Sequence, residues 1–121
     1  MQDEIKKVLV VDDDVDILEF LQELLELEGY SVMVTEKADY VETLQNGGLP
    51  DLILLDVFLS GKDGRDIARQ LKGHVDTRHI PIVMFSAHPN AEKTAREAGA
   101  NDFLPKPFEI DDLLAKIEQH I

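Results

Sequence analysis

The feature that most constrains this chain is a run of four apolar residues that stops abruptly at an acid, and it occurs twice. Val8-Leu9-Val10-Val11 runs into Asp12-Asp13-Asp14, and Leu52-Ile53-Leu54-Leu55 runs into Asp56. A short continuous run of β-branched residues and leucines suits a strand covered on both faces, as in the interior of a parallel sheet. Parallel neighbours cannot be joined by a tight turn, so a helix must lie between them.

The intervening residues supply those helices. Over residues 15–28, Ile17, Leu18, Phe20, Leu21, Leu24, Leu25 and Leu27 occupy one broad arc at helical spacing. Glu19, Gln22, Glu23 and Glu26 fall opposite, and Gly29 is placed to end the helix. Residues 31–35 predict a second strand. Residues 37–46, with Tyr40, Val41 and Leu44 inward and Gly47-Gly48 behind, predict a second helix. After Asp56, Gly61 and Gly64 read as a flexible loop before a helix over 65–72 built on Ile67, Ala68 and Leu71. The pattern repeats with a strand over 81–85, a helix over 90–98, a strand over 102–104 and a helix over 109–120. Ala91, Ala95 and Ala98 form a thin stripe that predicts light packing for the fourth helix, whereas Ile110, Leu113, Leu114, Ile117 and Ile121 make a fuller one in the last. Strand and helix alternate five times, which with right-handed crossovers gives an α/β fold: a doubly wound, five-stranded parallel sheet with helices on both faces. Ligands of such sheets bind outside the carboxyl ends of the strands.

With 121 residues, the whole chain, 1–121, is expected to form one domain with no second beside it. No cysteine is present, so any metal must be held by oxygen or histidine. The formal charge of −13 disfavours direct nucleic-acid binding and favours cations and basic protein surfaces. No apolar run reaches bilayer length and no signal-type segment follows Met1-Gln2-Asp3-Glu4, so no membrane association and a cytoplasmic location are expected. His74, His79, His88 and His120 are scattered and read as surface residues; Met33 and Met84 read as core filler.

If the strands ending at Asp12 and Asp56 are neighbours, their carboxylates converge. Two like charges about 4 Å apart repel by roughly 1 to 4 kcal/mol between bulk-water and near-surface screening. The repulsion is relieved by a raised carboxyl pKa or by a bound cation, and an oxygen-only donor set suits Mg²⁺. One of Asp12–Asp14 is expected to cap the following helix instead. The fourth strand ends at Ser86, and the fifth leads through Phe103-Leu104-Pro105 to Lys106. A hydroxyl and an ammonium thus face the acids, an arrangement in which Asp56 can attack phosphorus while Ser86 and Lys106 engage the phosphoryl oxygens. Two prolines flank Lys106, a rigidity that would aim its ammonium and that admits a cis Lys106–Pro107 bond.

At these residues the chain resembles the receiver domains of response regulators in two-component signalling. VLVVDDD looks like that family's first strand and acidic pair, LILLDVFLSGKDG its phosphoacceptor strand and loop, PIVMFSA its hydroxyl strand and FLPKPF its lysine motif. The resemblance implies a flavodoxin-like sheet in the order 2-1-3-4-5. It implies that Asp12, Asp13, Asp56 and the Phe58 backbone carbonyl hold Mg²⁺, and that Asp56 takes a phosphoryl group from a histidine kinase or a histidine phosphotransfer protein. Ser86 and Phe103 would then switch together, remodelling the face of the fourth helix, fifth strand and fifth helix for a downstream protein, in a monomer or a phosphorylation-dependent dimer. Such a domain is a phosphoacceptor that catalyses only its own phosphorylation and dephosphorylation. It is either a single-domain regulator of the chemotaxis type or a module cut from a larger hybrid kinase or output-domain regulator.

Four positions depart from the family's pattern or bear on it. Ser60 stands where proline is common, which predicts a less constrained loop. Phe103 stands where tyrosine is common, and Phe58 and His88 occupy positions where phosphoryl lifetime is tuned. An aspartyl-phosphate phosphohydrolase would want a second acid two residues after the nucleophile, and that residue is Phe58. A flavin-phosphate site is disfavoured because Asp12-Asp13-Asp14 would repel the phosphate, and a docking-only pseudo-receiver because the acids, Ser86 and Lys106 are all present.

Overall fold

The structure is a computed structural model in which residues 5–37 and 48–121 are described. From residue 38 onward, the helix expected over 37–46 lies outside the described residues. Five parallel strands form the sheet: β1 (Lys7–Val11), β2 (Ser31–Thr35), β3 (Leu52–Asp56), β6 (Ile82–Ser86) and β7 (Asp102–Pro105). Their spatial order is β2-β1-β3-β6-β7, which is the expected 2-1-3-4-5 once two extra short strands are numbered. Those two, β4 (Phe58–Leu59) and β5 (Lys62–Asp63), pair antiparallel as a hairpin directly after Asp56.

Strand alternation sends successive side chains to opposite faces, and the core accordingly divides in two. Leu9, Val11, Ile53, Leu55, Ile82, Met84 and Phe103 point to the face covered by α2 (Gly64–Gly73) and α3 (Ala91–Glu97). Val8, Val10, Leu52, Leu54, Val83, Phe85 and Leu104 point to the face covered by α1 (Val15–Leu27) and α4 (Ile110–His120). Every residue of β3 and β6 is buried: the four apolar residues of each, as a run covered on both faces requires, and with them the closing Asp56 and Ser86. Each large aliphatic side chain so placed stabilises the fold by about 1.5–3 kcal/mol relative to exposure.

Several expected core positions are more open than periodicity suggests. Leu18, Leu21 and Leu25 are buried, but Phe20 and Leu27 are 46% and 84% exposed. A helix seated on a sheet covers only a stripe, so the flank of a broad apolar arc faces outward. Met84 is core, whereas Met33 on the edge strand β2 is 53% exposed. Ile110 stands one turn before Leu113, the first buried residue of α4, and is also exposed. His74, His79 and His88 are exposed as expected, but His120 is partly buried. Among the described residues no helix is long and apolar enough to cross a membrane.

The loops after β1 and β3 are held by local chemistry. The Asp14 carboxylate accepts from the amides of Asp16 and Ile17 and so caps α1, leaving Asp12 and Asp13 to other uses. Gly61 turns the β4–β5 hairpin with φ +73°. Gly64 is not loop slack: a Cβ there would stand 2.1 Å from the Asp56 carbonyl oxygen. Its amide donates to the Val57 carbonyl, so the hairpin is pressed onto the end of β3.

Candidate functional site

β1 and β3 are neighbours, with Val11 paired to Leu55, so the acids that follow them meet at the carboxyl edge of the sheet. Asp12, Asp13 and Asp56 each offer a carboxylate oxygen, and these oxygens lie within 4.8 Å of one another. Asp12 is wholly buried and Asp56 nearly so, whereas Asp13 is exposed.

Fixed bonds hold each acid. Asp12 accepts the Asp14 amide on Oδ1 at 2.9 Å and the Lys106 ammonium on Oδ2 at 2.9 Å. Asp56 Oδ2 lies 3.5 Å from the same Nζ. Asp13 accepts the Ser60 hydroxyl on Oδ2 at 2.6 Å, and that bond holds its carboxyl below the usual carboxylate range. Burial, and then the Asp12 charge, push the Asp56 carboxyl up to about 6, against the opposing pull of Lys106 and of the Phe58 amide. Among the described contacts, the Lys106 ammonium is shared between Asp12 and Asp56 and so offsets the three carboxylates only in part.

Ser86 and Lys106 reach the same edge from β6 and from the end of β7. The Ser86 hydroxyl accepts from the His88 amide at 3.0 Å, and the Lys106 amide donates to the Ser86 carbonyl at 2.8 Å. The Lys106–Pro107 bond is cis, and the ammonium lies 4.7 Å from the centre of the Phe85 ring. Phe103 is buried in the α2–α3 core, paired to Met84 across β6 and β7. The expected residues Asp12, Asp13, Asp56, Ser86 and Lys106 are therefore brought to one edge, while Phe103 sits behind it in the core.

Several contacts around the site escaped sequence reasoning. The Phe58 ring meets the His88 imidazole edge-on, with centroids 4.6 Å apart, and the Arg65 guanidinium lies 5.0 Å from the centre of the same Phe58 ring. Arg65 also bonds Asp63 and, at 2.8 Å, the Thr94 hydroxyl of α3. A further contact is the bond from Ser60 to Asp13. At this position, where proline would have fixed the backbone, the Ser60 hydroxyl ties the loop to Asp13 instead. The positive charge of Arg65 at the start of α2, where the helix dipole disfavours it, was a legible signal that it has a specific partner.

The chain's donor set is chemically suited to a hard divalent cation: three carboxylates, no thiolate, and one of the acids left short of neutralisation. Comparison with known proteins identifies the family. The response regulator receiver domain profile matches residues 8–118. The transcriptional regulatory protein CpxR of Escherichia coli is 37% identical over 113 residues, which are 92% of this chain and 47% of CpxR. The chain thus spans about half the length of the relatives it matches. The receiver domain of NtrX from Brucella abortus superposes with a TM-score of 0.84 at 34% identity, covering 93% of this chain and 96% of that one. The response regulator TrrA of Thermotoga maritima, in complex with Mg²⁺–BeF, superposes with a TM-score of 0.86 at 27% identity, covering 97% and 100%.

Proposed function

Because this chain belongs to the response regulator receiver family of two-component signalling, we propose that it takes a phosphoryl group from a phosphohistidine donor onto Asp56, with Mg²⁺ at the acidic cluster. The observation that carries this reading is a nearly buried carboxylate at a strand end, under-neutralised, with an ammonium and a hydroxyl at the same edge. A carboxyl pushed up to about 6 is still mostly ionised at pH 7, so Asp56 keeps the lone pair that a nucleophile needs.

In the proposed transfer an Asp56 carboxylate oxygen attacks phosphorus. The P–N bond to the donor imidazole breaks, its electron pair leaves on that nitrogen, and Asp56 becomes an acyl phosphate. The donor is a histidine kinase or a histidine phosphotransfer protein. Lys106, already between Asp12 and Asp56, turns its ammonium to a phosphoryl oxygen. Ser86 takes the His88 amide on its oxygen, so its own proton is the one it offers the phosphoryl group. Asp12, Asp13, Asp56 and the Phe58 backbone carbonyl would hold Mg²⁺, which when bound supplies positive charge against the incoming oxygens.

The response lies on the face formed by α3, β7 and α4. A new dianion at Asp56 draws Ser86 toward it, and the buried Phe103 on the neighbouring strand follows, biasing an element whose two arrangements differ by a few kcal/mol. A downstream protein docks there. The test is to incubate the protein with Mg²⁺ and acetyl phosphate and to weigh it intact, beside Asp56→Asn. One phosphoryl mass on the parent and none on the variant is expected; equal labelling of the two overturns the reading.

A further inference from the structure

Asp12 and Asp56 are fixed by burial and by Lys106, but Asp13 is an exposed side chain that burial does not fix. An exposed carboxylate that must adopt one orientation to ligate a metal loses rotamer freedom on binding, and whatever orders it beforehand strengthens the binding. The Ser60 hydroxyl, 47 residues away in sequence, donates to Asp13 Oδ2 at 2.6 Å. Its own position is set by the hairpin: Gly61 makes the turn, and Gly64 presses the returning strand onto the Asp56 carbonyl. A chain of rigid contacts therefore runs from the backbone of Asp56, through the hairpin, to the carboxylate of Asp13.

We infer that Ser60 is a positioning residue for the cation site, holding the Asp13 carboxylate toward Asp12 and Asp56 so that the three acids are ordered before the metal arrives. The bond occupies one lone pair of one oxygen, and a carboxylate has about four such sites, so Asp13 keeps ample capacity to ligate. A partner that orients a ligand from behind typically contributes about tenfold or more in metal affinity. The inference rests on the Mg²⁺ reading above.

The experiment titrates MgCl₂ into ¹⁵N-labelled protein and follows the amide signals of residues 12–14 and 56–61, for the parent, Ser60→Ala and Ser60→Thr, with metal-free melting temperatures measured alongside. Ser60→Ala is expected to bind Mg²⁺ about tenfold more weakly at an unchanged melting temperature. Ser60→Thr, which keeps the hydroxyl, is expected to bind close to the parent. An Ala variant that binds as tightly as the parent overturns the inference while leaving the metal site standing. A Thr variant as weak as the Ala variant also overturns it, because the loss would then come from the turn and not from the bond. A parent that shows no Mg²⁺-dependent shifts overturns the metal reading, and the inference with it.

Discussion

Asp56 and Asp102 are both buried aspartates of the same sheet, one closing β3 at its carboxyl edge and the other opening β7 at its amino edge, and their surroundings are opposite in sign. Asp102 accepts from Arg96 of α3 at 3.1 Å, from Lys116 of α4 at 3.0 Å and from the Phe103 amide at 2.9 Å, and His120 lies 3.0 Å away. Burial alone would push its carboxyl up, but the bonds from His120, Lys116 and the Phe103 amide outweigh burial and hold it far below the usual range. Asp56 has burial and the Asp12 charge against it and a share of one lysine in its favour. Where cations outnumber the acid, the carboxylate fastens two helices to a strand. Where acids outnumber the cation, it is kept at a disadvantage and so remains ready to react.

Substitutions break this comparison in a definite order. Asp102→Ala is expected to destabilise by about 3 kcal/mol, because it strands Lys116 and His120 beside an apolar strand; the figure sits at the low end for a broken buried pair since Arg96 remains well solvated. Urea unfolding at pH 7 reads it, and a change near zero would make the cluster decorative. Asp56→Asn is expected to act with the opposite sign, stabilising by about 2 kcal/mol at pH 7, since each pKa unit corresponds to about 1.4 kcal/mol and the amide partly forfeits the Lys106 bond. The direction follows from linkage. A carboxyl raised to about 6 in the folded state binds its proton more tightly there than when unfolded, so the penalty is absent below pH ~4, grows as the pH rises, and is complete above ~6. The stabilisation by Asn should therefore vanish in acid, and a pH-independent gain would contradict it. Asp102 runs the other way, its contribution present above pH ~4 and lost as the pH falls below that. The smallest effect is His120→Ala, expected to cost about 1 kcal/mol as one bond among several to the same carboxylate. A loss as large as that of Asp102→Ala would move the centre of the cluster from the aspartate to the imidazole.

The reactive end was legible in the sequence and the fastening end was not, for a physical reason. Asp56 follows four apolar residues without a break, so a buried strand drags the acid to its end, and the same logic located Asp12 and Ser86. Asp102 also heads a strand, but its partners lie 6, 14 and 18 residues away on two helices. Only the packing of α3 and α4 against β7 brings those partners together. The Ser60–Asp13 bond spans 47 residues and was hidden in the same way. The β4–β5 hairpin escaped because its two-residue strands are too short for period-2 alternation to register. Phe20, Leu27 and Met33 lie more open than their spacing suggests because periodicity shows which side chains share a face but not how much of that face a neighbour covers.

The division of the core by the sheet also bears on how changes accumulate in this protein. Among the described residues, the side chains beneath α3 and those beneath α1 belong to separate buried clusters on opposite faces of the sheet. Free-energy changes at sites more than about 7–10 Å apart with no common partner add almost independently. Substitutions drifting in on the leucine-rich side therefore leave the alanine-lined side, where Phe103 lies, to be tuned by its own neighbours.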